Sequence, residues 1–363
     1  MKTRLLACTM LAAAFAMSAG SALAQQPKPE EVSAAADAVK PKTAWGAPDL
    51  QGFWTNVSVT SLQRPGNLKS LVLSEAEANK AVSRNILTIL SKDDQSTNGQ
   101  DPNSTKLLED KNNDRGYNAF WIDPGTRMAL VKGEYRSSWI VEPASGRIPY
   151  KNAAARAGGG YSITNFDGPE TRPLAERCLM SFSGSAGPVM QNGMYNNTYQ
   201  LVQSPDSVMI LVEMNHEARI IPIVASKADV KHGSIPKWAG DSVGWYEGET
   251  LVVETTNVNP QQRAMIGPNG KVTERFTRWN KQQVLYEFTV EDPDLYSQPW
   301  KGEMGLNHSP EPLYEYACHE GNYALHGILA GARELESQGK VPGMGPGIAA
   351  GLVIPRDGEG GGE

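Results

Sequence analysis

Between residues 195 and 318 the chain repeats one pattern, in which a short run of alternating apolar and polar positions is followed by a polar turn. Alternation with a period of two places the apolar side chains on one face of a strand. Residues 195–203 and 207–214 flank Ser204-Pro205-Asp206 and read as a hairpin, and 218–223 continues it after Asn215-His216-Glu217. Residues 242–246 and 250–256 flank Glu247-Gly248-Glu249, and 272–279 and 284–291 flank Asn280-Lys281-Gln282. With 300–306 and 313–318 the run comes to about nine strands, with no helical stretch between them. Parallel pairs need long crossovers, so the strands are expected to pair antiparallel. A meander of this kind hides its edges by closing into a barrel or by folding into a sandwich. The predicted fold is therefore mainly β: an antiparallel meander closing into a lipocalin-like barrel, with a sandwich as the alternative.

The flanking regions differ in pattern. Residues 43–170 are loop-rich, with one strand expected over 50–56 and another over 137–141, the latter followed by the turn Pro143-Ala144-Ser145-Gly146. Ser74-Glu75-Ala76-Glu77 is a capping box that opens a helix expected to run to about residue 90. Residues 92–113 are polar and turn-rich, and 153–160 are small residues that form either a mobile loop beside a site or a linker. Residues 320–337 read as a C-terminal helix with Tyr323, Leu325, Ile328, Leu329, Ala332 and Leu335 mostly on one stripe, suited to packing against a sheet.

The termini change the picture of where this domain works. Lys2 and Arg4 precede an apolar stretch over 5–17, and Ala22-Leu23-Ala24 matches a signal-peptidase site, so residues 1–24 are expected to be a cleaved signal peptide. The apolar stretch is shorter than the roughly 20 residues needed to cross a bilayer. Residues 25–42 read as a flexible leader and 339–363 as a disordered Gly-rich tail, leaving 43–338 as a single β-rich domain. Cleavage takes the net charge from −6 to −8. An acidic chain with no Lys/Arg cluster argues against nucleic acid and an anionic membrane surface as partners. The lack of any other stretch of transmembrane length argues against membrane insertion after cleavage, and the leader points to a periplasmic or secreted protein. Beyond Cys8, only Cys178 and Cys318 remain. In an oxidising compartment they form a disulfide closing a loop of about 140 residues, worth roughly 4–5 kcal/mol in the chain-entropy model; otherwise they are buried free thiols.

The chain has five histidines. His232, in a Gly/Ser/Pro loop, and His308, near Pro310, read as ordinary loop residues. His326 lies about two helical turns beyond His319 and reads as a packing residue. His319 and Glu320 directly follow Cys318 at a strand-to-helix junction, where they form either a rigidly held acid–base pair or a helix-capping carboxylate with a satisfied imidazole. Glu213, His216, Glu217 and Arg219 gather at one turn, where a carboxylate can orient an imidazole. A metal would need His216, His319 and a carboxylate from separated segments; metal and cofactor are left unassigned. Glu254, Glu274, Arg275, Arg278, Glu287 and Glu291 fall on both faces of their strands, which fits either a polar ligand cavity or outer ion pairs. Trp245 and Tyr286 are candidate walls of such a pocket, and Arg219 its anion holder. No nucleophile elbow, P-loop, dinucleotide fingerprint or zinc-protease motif is present.

The chemistry this favours is a lyase, isomerase or hydratase acting on a small organic molecule, with His319 or His216 as base and Glu320 or Glu213 as its partner. The alternatives are a non-catalytic periplasmic carrier and a structural protein of the envelope. The segments Trp45-Gly46-Ala47-Pro48-Asp49-Leu50-Gln51-Gly52-Phe53-Trp54-Thr55-Asn56, Glu176-Arg177-Cys178, Gly240-Asp241-Ser242 and Glu247-Gly248-Glu249-Thr250-Leu251-Val252-Val253 resemble those of a broad family of exported, functionally uncharacterised bacterial proteins. The stretches Phe288-Thr289-Val290-Glu291-Asp292-Pro293 and 314–322 carry the same likeness, which covers nearly all of 43–338. The resemblance implies export and one shared architecture, and no substrate. The denatured intact mass of the exported protein should lack residues 1–24 and two further hydrogens; retention of the leader or of both thiols would contradict the export reading.

Overall fold

The computed structural model describes residues 27–33, 37, 39–85, 88–89, 123, 125–152, 165–181, 187–193, 195–262 and 265–342. In chain order these form α1 (Pro29–Val32), β1 (Gly52–Thr55), β2 (Val72–Leu73), α2 (Glu75–Arg84), β3 (Leu130–Val131), β4 (Glu134–Arg136) and β5 (Ile140–Glu142). The remainder are β6 (Thr198–Gln203), β7 (Ser207–Val212), β8 (Ala218–Pro222), β9 (Asp241–Glu247), β10 (Thr250–Thr256), β11 (Lys271–Asn280), β12 (Gln283–Glu291), β13 (Trp300–His308) and α3 (Tyr323–Ser337). The meander is an antiparallel sheet in the order β8-β7-β6-β1-β13-β12-β11-β10-β9, with β5 paired to β13 and a separate small sheet β2-β4-β3. It curls into a nearly closed barrel. The strand β1 completes it by slotting between β6 and β13, where Trp54 stands opposite both Tyr199 and His308.

The two sheet edges, β8 and β9, meet at one parallel bridge, Ile223 to Gly244, where the Val224 N–H donates to the Gly244 carbonyl at 2.8 Å. In that register the next donor back along β8 belongs to position 222, and Pro222 has no N–H to offer. Above the gap, Gly244 lets the edges touch, since a Cβ there would lie 2.9 Å from Ile223 Cδ1 and 3.1 Å from Ile221 Cγ2.

Inside the barrel, Trp54, Tyr199, Phe276, Tyr286 and Trp300 are wholly buried. Their rings and that of Phe288 pack at centroid separations such as 5.0 Å for Phe276–Tyr286 and 5.7 Å for Phe288–Trp300. One polar chain crosses this interior. Arg219 on β8 donates through Nη1 (3.1 Å) and Nη2 to the Glu274 carboxylate on β11. Arg219 Nη2 also reaches Ser242 Oγ on β9 and Thr255 Oγ1 on β10, each at 3.4 Å. The Tyr286 hydroxyl on β12 donates to Glu274 at 2.7 Å and accepts from the Met190 N–H at 3.1 Å. Burial first, and the Glu274 charge second, push the Tyr286 hydroxyl well above the ordinary phenol range, so it stays a donor. Burial opposes the Arg219 charge, but Glu274 outweighs it and raises the guanidinium's affinity for its proton.

The strands therefore carry their charges unequally. Glu254, Arg275, Glu287 and Glu291 lie on the outer face, where Lys271 pairs with Glu254 and Glu291 and Arg275 with Glu247. Of the four strand glutamates Glu254, Glu274, Glu287 and Glu291, Glu274 is the wholly buried one, and Arg278 stacks on Trp54 with Cζ 4.9 Å from the ring centre. The inward ion pair of Arg219 with Glu274 lies within a packed apolar core.

Several elements differ from the sequence expectation. The capping box forms, with Ser74 N–H donating to Glu77 at 2.9 Å, but α2 ends at Arg84. Residues 313–318, expected as a strand, are irregular: the segment leaves the sheet and is fastened to it by side chains. Part of the expected flexible leader is docked, since Val32 is wholly buried and the Arg127 guanidinium donates to the Pro27 carbonyl at 2.6 Å. The apolar anchor acts together with backbone bonds, such as the Asp37 N–H donating to the Trp279 carbonyl at 2.9 Å, to dock a segment whose average composition is polar. Cys178 and Cys318 form a disulfide with a Cα–Cα distance of 5.7 Å. It lies beside Asn322, which donates to the Glu176 carbonyl at 3.1 Å, and with Arg333 donating to the Phe166 and Asp167 carbonyls it ties α3 to residues 165–181. No helix among the described residues is long and apolar enough to cross a membrane. Residues 1–24, expected as a signal peptide, residues 92–113 and 153–160, and the residues beyond 342 lie outside the described residues.

Removing one partner of a buried ion pair strands the other charge. Glu274→Ala should therefore lower stability by about 3–5 kcal/mol in urea titrations, and Arg219→Met/Glu274→Leu should recover most of that loss. A near-neutral Glu274→Ala would show that the pair is not what closes the barrel.

Candidate functional site: a cleft over the barrel seam

Where β8 and β9 splay below their single bridge, a cleft of about 300 Å³ opens on the outer face of the barrel. Ile220, Pro222, Val224 and Val243 supply an apolar wall, and Asp229, Lys231, Lys237 and Asp241 supply charge. Ile220 remains 60 % exposed, although an unpartnered Ile on an edge strand is ordinarily covered. Ser242 forms the floor: it lines the cleft, while its hydroxyl, 2.8 Å from that of Thr255, belongs to the inner polar chain. The incomplete ladder thus has the polar chain behind it and the cleft in front.

One side of the cleft is a loop, residues 224–240, folded back over the strands that follow it. Its clamp is His232, whose Nδ1 lies 3.3 Å from Asp241 Oδ2 and whose Nε2 lies 3.3 Å from Glu254 Oε1. The Gly233 N–H donates to Asp241 Oδ2 at 2.9 Å and Lys237 Nζ to Asp241 Oδ1 at 2.5 Å. Lys271 Nζ stands 3.5 Å from Glu254 Oε2. Burial raises the Asp241 carboxyl, but the Lys237 and Gly233 hydrogen bonds outweigh it and hold it below the ordinary carboxylate value. Lys231 has no hydrogen bond or ion pair among the described residues, so its ammonium is available at the rim.

The sequence reading set His232 aside because its neighbours are turn residues. The signal lay in the strands: Asp241 and Glu254 fall on one face of adjacent strands, diagonal across the Val243–Glu254 pair, and a loop running straight into β9 can return an imidazole over them.

The expected site residues are distributed over three places. Arg219 and Tyr286 are brought together inside the barrel through Glu274. Trp245 faces outward on β9, beside Val243, with Nε1 donating to Glu247 at 2.8 Å. Glu213 and His216 both fasten the segment after β13. Glu213 is buried and accepts the Thr198 N–H at 3.1 Å and the Tyr314 N–H at 3.4 Å, while His216 Nε2 accepts the Tyr316 N–H at 2.9 Å. His319 and Glu320 follow on that segment and are exposed, with no side-chain hydrogen bond among the described residues. Among the described residues no group of three or more His, Cys, Asp or Glu is arranged to hold a metal ion. Comparison of the chain with family models, with curated proteins and with solved structures gives no match in any of the three.

A carboxyl depressed by folding contributes stability above its unfolded value, near pH 4, and loses it as pH falls through the lower folded value. Amide exchange at Gly233 should accordingly be slow at pH 7 and, after correction for intrinsic rates, open as pH drops below about 4. Asp241→Ala should open it roughly tenfold at pH 7. Protection that is unchanged in the variant would mean that Asp241 does not hold the loop.

Proposed function

We propose that the protein is an exported small-molecule-binding protein whose ligand occupies the seam cleft. The observation that carries this reading is the conjunction, at one place, of an exposed apolar wall and an ammonium with no partner among the described residues. The volume of about 300 Å³ is at the small end of the range for ligand sites. It suits a compact organic acid with its apolar body against Ile220, Pro222 and Val243 and its carboxylate at Lys231. Trp245, two residues along the same face of β9, is buried beside that lining and reports on it without forming part of it. The disulfide supports an oxidising address, and the signal-like N-terminus gives the route to it.

A catalytic reading, a lyase, isomerase or hydratase using His/Glu acid–base chemistry, is supported by a different observation. Glu213 and His216 both meet the segment that carries His319 and Glu320, which gathers all four residues around one strap. His216 Nε2 lies 2.9 Å from the Tyr316 nitrogen and 3.1 Å from the Tyr314 carbonyl, so the tautomer decides which ring nitrogen serves as the base.

Benzoate, an aromatic carboxylate of suitable size, is the first probe. Its titration should change the tryptophan emission saturably, the change should vanish in Trp245→Phe, and Lys231→Glu should weaken binding about tenfold or more. Binding that survives Lys231→Glu unchanged places the ligand elsewhere. Turnover of any bound compound that collapses in a folded His216→Ala variant would favour the catalytic reading.

A further inference from the structure

The Cys178–Cys318 disulfide joins two segments, neither of which carries a strand of the barrel. Cys318 lies on the segment after β13, which the barrel already holds. There the Ser309 N–H donates to the Phe53 carbonyl at 2.9 Å, the Tyr314 N–H to Glu213 at 3.4 Å, and Tyr316 packs against the main apolar core. Cys178 lies on 165–181, which is folded as short turns: the Cys178 N–H donates to the Ala175 carbonyl at 3.2 Å and the Leu179 N–H to the Leu174 carbonyl at 2.9 Å. Both cysteines are half-buried rather than enclosed.

Beside Cys178 the same segment builds a small apolar cluster apart from the barrel core, in which Leu174 and Met180 are buried and Leu179 packs on them. The fourth member comes from elsewhere: it is Trp238, in the loop 224–240 that walls the seam cleft. Its neighbour Lys237 gives its N–H to the Asn257 carbonyl at 3.0 Å, accepts the Gly240 and Asn259 N–H groups at 3.1 and 2.9 Å, and holds Asp241 through its ammonium. Asp241 in turn holds Gly233 and faces His232. The loop is therefore pinned twice, by the strand carboxylates and, through Trp238, by 165–181. The indole is the largest apolar side chain of the loop, and such a ring contributes through the cover it finds. What fastens 165–181 in place includes the disulfide, Asn322 on the Glu176 carbonyl at 3.1 Å, and Arg333 on the Phe166 and Asp167 carbonyls at 2.8 and 3.1 Å.

We infer that the Cys178–Cys318 disulfide is a redox-sensitive brace of the seam cleft, acting through the contact of Trp238 with Leu174, Leu179 and Met180. With the bond closed, the segment after β13 is the fixed end, 165–181 is held against Trp238, and the loop bearing Lys231 and Lys237 keeps its place. A dithiol opens the brace. It supplies two electrons and two protons, the S–S bond becomes two thiols on the chain, and the dithiol leaves as its own disulfide. The segment 165–181 then loses its cross-link, and Trp238 loses a firmly held partner. The brace concerns the loop alone; its consequence for a ligand rests on the reading of the seam cleft as the binding site.

Amide exchange of the full chain without ligand, compared between wild type and Cys178→Ala/Cys318→Ala, reads the brace. The Gly233 and Gly240 N–H groups, which donate to Asp241 and to the Lys237 carbonyl, should exchange about tenfold faster in the variant while the amides of β12 keep their protection. Trp238→Ala, with its disulfide intact, should quicken the same two amides to a similar degree, and the triple variant no further, because both changes break one chain of contacts. Should the cysteine variant fail to fold, wild type and Trp238→Ala reduced with dithiothreitol take its place, the two added hydrogens verified by mass. Unchanged seam amides in the folded, disulfide-free chain overturn the brace. Equal loosening of β12 also overturns it, since the disulfide is then a staple of the whole fold. Full additivity with Trp238→Ala does so too, by taking Trp238 out of the path. Quickened seam amides with unchanged benzoate affinity leave the brace standing and overturn the seam cleft as the ligand site.

Discussion

The barrel is held shut by side chains where its backbone cannot close it. Eight of the junctions between neighbouring strands are antiparallel ladders, and the ninth, β8 to β9, is a single bridge. Pro222 removes the donor that would extend that bridge. The Arg219–Glu274 pair, with Ser242 and Thr255 between its ends, spans the gap from within and links β8 to β9, β10 and β11. A buried ion pair is ordinarily weak evidence for stability, because desolvation offsets the attraction. Here its position matters more than its net energy: it adds directional bonds at the one junction held by a single backbone bridge.

The same gap accounts for the chemistry on the outside. A continuous ladder would have brought β8 and β9 together along their length and left no cleft. Because the strands splay, Ile220 stays exposed and the loop before β9 can fold back and lock His232 between Asp241 and Glu254. Ser242 belongs to both sides, as floor of the cleft and link in the inner chain.

Charge in this acidic protein is sorted by place. Carboxylates on the outer strands are answered by Lys271 and Arg275, the inward carboxylate by Arg219, and the carboxylates of 165–181 and α3 by Arg172 and Arg333.

Sequence by itself determined the strands, because period-two alternation and turn chemistry are local properties: 250–256 was legible to the residue, and the hairpins either side of Ser204-Pro205-Asp206 and Asn280-Lys281-Gln282 nearly so. It determined the capping box of α2 in the same way, and it named the only two cysteines that remain to pair beyond Cys8. What it did not contain was which faces meet. Arg219 and Tyr286 were legible as a pair of interest, but that they converge on Glu274, and that Trp245 faces away from them, follows from closure of the sheet. His232 looked like a loop residue because its partners lie on strands that come later in the chain, and a local pattern carries no information about a loop folding back. The segment 313–318 alternates like a strand, yet it is not one: the partners that fasten it, Glu213 and His216, are side chains about a hundred residues earlier rather than a neighbouring backbone edge. Local sequence sets what each segment is able to be; the long-range contacts of the closed barrel decide what it does.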